Sequence, residues 1–269
     1  MKVINKNLLN RTFFMSFMDL EEKINLAAKW IAESERLVVF TGAGCSTGSG
    51  LPDYRGPNGV WTRRDKGLPP PKPKVAWDQV KPNPNHFAIV ELMEMGKLNY
   101  IISQNVDGLH AKSGIPFDML AELHGNQFFM KCLSCNKKML FEEVGWDKEK
   151  WGPGYRTHPT RDGQPTCPHC EGRLISSIVN FGDPLPYDEL QESIIRSENA
   201  DVFFVVGSSL VVTPAANMPG IAKQNGAKLI LINKGDTPYD HVTDIRFDNL
   251  IEDVLPPIME KLRELLKSS

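Results

Sequence analysis

The chain lacks any apolar run approaching the ~18 residues that a membrane-spanning helix needs. The greasy stretch Phe13-Phe14-Met15-Ser16-Phe17-Met18 is short and soon meets Asp19, Glu21 and Glu22. With no small-residue cleavage site after it, 1–18 reads as an irregular arm and not as a leader. Charge of one sign is lacking too. Lys and Arg number 31 against 33 Asp and Glu, a formal net charge of −2, so no overall field draws the chain to nucleic acid or to an anionic membrane surface. Cysteine is scarce, 5 in 269 residues, which excludes a disulfide-dense secreted scaffold. Repeats are missing, and the one biased stretch, Pro69-Pro70-Pro71-Lys72-Pro73, is short enough to be a stiff surface loop. What remains is a globular composition, 41% hydrophobic and 24% charged, long enough for one large domain with a smaller one inserted.

Hydrophobic periodicity places the elements. Leu20 to Ser34 carries Leu20, Ile24, Ala27, Ala28 and Ile31 on a helical stripe, with Asp19 as N-cap ahead of Glu21 and Glu22. Leu37-Val38-Val39-Phe40 is an all-apolar run ending in Thr41-Gly42-Ala43-Gly44, the pattern of a buried parallel strand feeding a glycine turn. Tyr100–Ile102, Val202–Val206 and Lys228–Ile232 repeat it. Helical patterns at His86–Met95, Pro186–Ser197, Ala215–Asn225 and Ile251–Leu265 lie between or after them, so a doubly wound α/β sheet is expected. Two segments interrupt the alternation: Gly56–Pro84, rich in Pro, Gly and Lys, and Lys131–Gly172, poor in apolar residues and containing the cysteine pairs. The second is the expected inserted domain.

Cys132-Leu133-Ser134-Cys135 and Cys167-Pro168-His169-Cys170 are two Cys-x-x-Cys units separated by 31 residues. Each knuckle turns two thiolates toward one point, and together they supply the four soft ligands of a structural zinc, a closed coordination sphere with no place for reactive water. His169 reads as a surface residue within its knuckle. Cys45 stands alone in the glycine turn and reads as a small buried side chain in preference to a nucleophile.

Gly42-Ala43-Gly44 suits close approach to a pyrophosphate, but the Gly-x-Gly-x-x-Gly spacing is not met because Thr47 stands where the third glycine belongs. A tight turn without a ligand explains it equally well. More informative are the other strand ends, where open α/β sheets bind ligands: Ser103-Gln104-Asn105-Val106-Asp107, Gly207-Ser208-Ser209 and Asn233-Lys234-Gly235 offer hydrogen-bonding residues to one crevice. Glu122-Leu123-His124-Gly125-Asn126 falls just before the insertion, which makes His124 the histidine placed at an inter-domain cleft, with an imidazole suited to taking a proton near neutral pH.

The run from Gly42 through Leu51-Pro52-Asp53-Tyr54-Arg55, then Gln104-Asn105-Val106-Asp107, His124-Gly125, the four cysteines and Gly207-Ser208-Ser209-Leu210 together resemble the sirtuin (Sir2) family, in order and at comparable spacing, over roughly residues 20–262. Asp53 to Thr62 and Ala121 to Asn126 look most like its class IV branch. The resemblance implies an NAD-dependent protein-lysine deacylase that releases nicotinamide, free lysine and O-acyl-ADP-ribose. It implies a Rossmann-like NAD domain over 19–130 and 173–269, interrupted by a zinc-binding domain over 131–172. By similarity, Gly42, Ala43 and Gly44 line the pyrophosphate, and Asp53, Tyr54 and Arg55 lie on a loop over nicotinamide and ribose. Gln104, Asn105 and Asp107 form the nicotinamide pocket, with Asn105 acting beside the general base His124. Gly207, Ser208, Ser209, Asn233, Lys234 and Gly235 hold the adenosine half. The acylated lysine of a protein or peptide pairs as a strand between the domains, against Val179, Phe181 and Gly182.

Tyr54 stands where the family usually has Phe, Cys45 where it has Ile, Asn180 where it has an aromatic or aliphatic residue, and Asp183 where it has Glu. An amide at Asn180 either bonds a polar acyl group or faces solvent. An NAD-dependent ADP-ribosyltransferase and a non-catalytic zinc-containing module are the rival readings. The chain ends soon after its last helix without a long basic tail, so the expected address is cytoplasmic; neither nucleic-acid nor membrane binding is expected.

Overall fold

The computed structural model describes residues 18–268, so the expected N-terminal arm, but for Met18, lies outside the described residues. Helix α1 (Leu20–Glu33) starts where the sequence puts it: the Asp19 carboxylate accepts from Glu22 N–H and the Glu22 carboxylate accepts from Asp19 N–H, a reciprocal capping box. It leads into β1 (Leu37–Thr41). After the short helix α2 (Val60–Asp65) come α3 (Pro84–Glu94) and β2 (Leu98–Ser103). The side chain of Asn83 caps α3, with Pro84 in the first turn, where a missing N–H costs nothing. The short helix α4 (Leu109–Ser113) and β3 (Leu120–Glu122) follow.

The chain then leaves the large sheet for β4 (Phe129–Cys132), β5 (Lys138–Leu140), the single turn α5 (Lys148–Trp151) and β6 (Leu174–Ser176). It returns through α6 (Tyr187–Asn199), β7 (Val202–Val206), α7 (Met218–Gln224), β8 (Lys228–Ile232), β9 (Ile245–Phe247) and α8 (Ile251–Lys267). The single helix expected over 215–225 is divided: Ala215–Asn217 forms a tighter turn and α7 begins at Met218. Pro219 is the reason, since a residue without an N–H belongs in a helix's first turn.

Six strands form one parallel sheet in the order β3-β2-β1-β7-β8-β9. The doubly wound α/β fold expected from the alternation is therefore present. Alternate side chains feed two cores. Leu37, Val39, Phe204, Val206 and Ile230 pack with Ile31 of α1, Ile89 and Leu92 of α3, and Val254, Ile258 and Leu262 of α8. Val38, Phe40, Phe203, Val205 and Leu231 pack with Met218 and Ala222 of α7 and Leu190 and Ile194 of α6. Burial on both faces is why these strands read as unbroken apolar runs.

A second, antiparallel sheet has the order β5-β4-β6 and its own small core of Met130, Met139, Phe141, Val144, Trp146 and Leu174 around Cys132 and Cys167. It begins at Phe129 and ends at Ser176, outside 131–172 at both ends. Among the described residues, no helix is long and apolar enough to cross a membrane.

Candidate functional site

The strand order changes direction between β1 and β7, and the crevice at the carboxyl ends of those strands is where such sheets take ligands. Here the two loops touch. Gly42 N–H donates to Val206 O (3.1 Å), Gly44 N–H to Gly207 O (2.9 Å), and Gly207 N–H to Ile232 O (2.8 Å). A Cβ on Gly42 would stand 2.7 Å from Gly207 O, and one on Gly44 2.8 Å from Gly207 Cα. Gly207 has φ +68° and no room either, 2.5 Å from Cys45 N. The glycines are therefore required by loop-on-loop packing alone, which brings the β1, β7 and β8 ends together.

Asn105 Nδ2 donates to Gly42 O (3.1 Å) and Ser46 Oγ (3.2 Å), Ser46 Oγ–H donates to Asp107 Oδ2 (2.7 Å), and Leu109 N–H donates to Asp107 Oδ1 (2.9 Å). Burial raises the Asp107 carboxyl, opposed by the bonds from Ser46 and Leu109. Gln104 ties the crevice together, its amide donating to Ser208 Oγ (2.6 Å) after β7 while its carbonyl meets His124 Nδ1 (3.0 Å) after β3.

That contact fixes the His124 tautomer. A carbonyl only accepts, so Nδ1 carries the proton and Nε2 is the bare nitrogen. Burial lowers the His124 pKa, and the bond to Gln104 partly opposes it, so the imidazole is neutral at pH 7. Behind it, Gly125 has φ +78°, and a Cβ there would lie 1.9 Å from Ser177 O. The turn is pressed onto the chain leaving β6, where Val179 N–H donates to His124 O (2.9 Å). Glu122, two residues upstream, is buried and accepts from Asn126 Nδ2 (2.7 Å); burial pushes its carboxyl up to about 7.

Asp53, Tyr54 and Arg55 form a loop closed on α2: Val60 N–H donates to Asp53 O and Trp61 N–H to Tyr54 O, both at 2.9 Å. Asp53 Oδ1 accepts from Gly56 N–H (3.1 Å), while burial raises its carboxyl. Arg55 meets Asp65 (3.4 Å). Trp61 touches Tyr54 (ring centroids 5.8 Å) and, edge-on, Phe181 (5.7 Å), linking this loop to the segment after β6. Phe181 is otherwise 78% exposed, and Gly182 beside it is exposed with φ +90°. Asn180 is half-buried, and its N–H and amide both donate to Asp183 Oδ2 (3.1 and 3.4 Å), closing a local turn.

At the fourth end, Asn233 Nδ2 donates to the carbonyls of Lys234 (3.2 Å) and Gly235 (3.1 Å), and Gly235 N–H donates to Asp248 Oδ1 (2.8 Å). Ala43 and Ser209 are half-buried at the crevice. The donor set of amides, hydroxyls and one carboxylate suits a carboxamide and ribose hydroxyls, so these residues fit NAD. In the small sheet, Cys132 and Cys170 sulfurs are 3.5 Å apart and Cys135 and Cys167 sulfurs 3.7 Å, all four lying within 4.8 Å of one another. Tetrahedral zinc with ~2.3 Å bonds to sulfur needs an edge of roughly 3.8 Å, so the four cysteines fit zinc.

Sequence reasoning missed Ser46, Trp61 and Glu122. Ser46 carried a usable signal, a hydroxyl two residues beyond the glycine turn, whereas the bridging position of Trp61 and the burial of Glu122 exist only in the fold.

Residues 42–214 match the model of the Sir2 family. An NAD-dependent protein deacetylase of Pyrobaculum aerophilum is 39% identical over 265 residues, covering 91% of this chain and 97% of the relative. The NAD-dependent protein deacetylase SRT1 of Oryza sativa subsp. indica is 39% identical over 240 residues, and there the chain spans about half the relative's length (89% of this chain, 48% of that one). Among solved structures, Sir2Af2 bound to a myristoylated histone peptide is similar at a TM-score of 0.65 and 34% identity, covering 93% of this chain and 100% of that one.

Proposed function

Because the chain belongs to the Sir2 family, we propose that it is an NAD-dependent protein-lysine deacylase whose general base is His124. The observation that carries this reading is the His124 tautomer: Nδ1 is committed to the Gln104 carbonyl, so the lone pair of Nε2 is available at the junction of the two sheets. An imidazole held neutral by burial is in its base form at pH 7.

Bound NAD supplies an electrophilic ribose carbon and nicotinamide as the leaving group. Asn105 and Asp107, cross-linked through Ser46, would orient the carboxamide with little loss of freedom, since their own hydrogen bonds already fix them. Tyr54 and Arg55 would cover nicotinamide and exclude water, and Asp53 would brace that loop. Gly42, Ala43 and Gly44 would line the pyrophosphate, with Gly207, Ser208, Ser209, Asn233, Lys234 and Gly235 along the adenosine half. His124 Nε2 would take the proton of a ribose hydroxyl, so that the acyl group leaves as O-acyl-ADP-ribose and lysine is freed. The acyl-lysine segment would lie against Val179, Phe181 and Gly182, paired through backbone as an added strand.

We further assign the chain to the class IV branch, on the wording of Asp53 to Thr62, and place it in the cytoplasm, where reduced thiols are the rule. We take residues 129–176, the span of the small sheet, as the zinc domain in place of 131–172, inserted in an NAD domain that starts at 19. The test is mass spectrometry of acetyl-, succinyl- and myristoyl-lysine peptides with and without NAD, for the parent and His124→Ala. NAD-dependent loss of one acyl group, with O-acyl-ADP-ribose formed by the parent alone and an unchanged melting temperature in the variant, is expected. Intact peptides with ADP-ribose added to protein would make the chain a transferase; untouched NAD would overturn catalysis altogether.

A further inference from the structure

Beneath the crevice floor lies a second group of metal-ligating side chains that the reaction does not use. Cys45, His86 and His110 come from the glycine turn, α3 and α4, and each offers a donor atom within 4.8 Å of the other two. Cys45 and His86 are fully buried and His110 is 2% exposed. The imidazole rings are 5.0 Å apart between centroids. His86 Nε2 and His110 Nδ1 are buried without a hydrogen-bond partner among the described residues. A buried, unpaired polar nitrogen destabilises the fold, and here two of them stand beside one thiol.

The outer nitrogen of His110 is arranged as that of a metal-bound histidine is, held by an oxygen. Thr41 Oγ1 donates to Ser103 Oγ (2.9 Å), so its oxygen accepts from His110 Nε2–H (2.9 Å), and His110 Nδ1 is left as a bare lone pair. His86 Nδ1 accepts from Asn83 N–H (3.2 Å) and also lies 3.0 Å from Asn83 Oδ1, so a shift of the ring proton from Nε2 to Nδ1, where Oδ1 accepts it, bares Nε2 for a metal. Burial pushes His86 down to about 4 and His110 down to about 3, so both are neutral ligands at pH 7.

We propose that Cys45, His86 and His110 form a second metal site, distinct from the four-cysteine cluster, that takes a thiophilic monovalent d10 cation, Cu(I). Three donors, one sulfur and two nitrogens, complete a trigonal Cu(I) shell. Three-ligand zinc fills its fourth position with water, and these residues are sealed from solvent. A thiolate with a monovalent cation is also neutral overall, the form of charge least penalised by burial. Binding breaks the Sγ–H bond of Cys45, forms an Sγ–Cu bond and releases the proton to solvent, with no change of oxidation state at sulfur or copper. Trigonal bonds of ~2.0 Å to nitrogen and ~2.3 Å to sulfur require donor separations of roughly 3.5–3.7 Å, and the three donors stand within 4.8 Å of one another.

The test uses the full chain loaded with one zinc, titrated anaerobically with Cu(I) against the chelator bicinchoninate, for the parent and for Cys45→Ser and Cys45→Val. The parent is expected to take one Cu(I) per chain with its zinc retained, and X-ray absorption should show one sulfur and two nitrogens around copper. Both variants should bind it at least ~100-fold more weakly. No uptake by the parent, or equal uptake by the variants, overturns the proposal. So does uptake that expels zinc one for one into an all-sulfur shell, which would put copper in the four-cysteine cluster.

Discussion

Every residue of β1 and β7 is buried in the large sheet, while β4 and β5 of the small sheet alternate buried with half-buried or exposed ones. The large sheet is sandwiched between two apolar cores, whereas the small one has a single core of which two buried members are cysteines. At about 1.5–3 kcal/mol for each large apolar side chain buried, the first can stand on burial alone, while the second has too few such side chains to offset its chain entropy. The two sheets thus differ in kind: one is held by packing, the other by four bonds to a metal.

The sharpest way to break that contrast is to remove the zinc. Chelation, or Cys135→Ser, should abolish deacylation and open residues 129–176 to trypsin while most of the far-ultraviolet circular dichroism, which comes from the large domain, survives. A protein that melts as one unit on chelation would show that the sheets are not independently stabilised. Next in size is the junction. Gly125→Ala combines a positive φ with a contact of 1.9 Å at Ser177 O and should cost about 2–4 kcal/mol in urea unfolding, with a matching loss of kcat as His124 shifts.

Acid stability sharpens the comparison further. The folded chain keeps His86 and His110 neutral down to about 4 and 3, whereas the unfolded chain protonates them below ~6.5. Stability is therefore lost as pH falls below about 6.5, by up to roughly 1.4 kcal/mol per unit for each histidine. Glu122 works oppositely, because its folded value of about 7 lies above the ordinary 4.5 and stability is gained as pH falls between them. Glu122→Gln should therefore be about 1–3 kcal/mol more stable than the parent at pH 8 and equal to it by pH 4.5, read from urea midpoints. Smaller still, Trp61→Ala removes both aromatic contacts of the loop and should raise KM for NAD and for peptide about tenfold, with Tm unchanged. Asn180→Ala, which loses only the turn to Asp183, should cost less than about 1 kcal/mol and leave acyl preference as it was.

The central strands could be read from the chain because burial on both faces leaves an unbroken apolar run. The edge strands β3 and β9 could not, since at three residues each they acquire their identity from pairing with β2 and β8. Small-sheet strands such as Phe129-Met130-Lys131-Cys132 mix charge with apolar residues, and only the pairing of Met130 with Met139 and Ser176 makes them strands. The cysteine knuckles, His124 and the polar strand ends were legible because ligand spacing and strand-end position are written along the chain. Cys45 reads as a small buried side chain, and the fold buries it fully. That His86 and His110 would meet it follows from the docking of α3 and α4 beneath the glycine turn, and no local pattern records such a meeting.

The seam where the chain leaves and re-enters the large sheet has its own consequence. Asn126 N–H donates to Ser177 Oγ (3.1 Å), Ser177 Oγ–H donates back to Asn126 O (2.7 Å), and Ser177 N–H bonds Phe129 O (2.9 Å). The outgoing and returning chains are stitched together at the threshold of the excursion, so its closure entropy is met there and grows only slowly with whatever length is enclosed. The excursion is in this sense a socketed cassette. The exposed stretch 159–163 beyond the stitch can be lengthened while the bond between His124 and Gln104 stays in place.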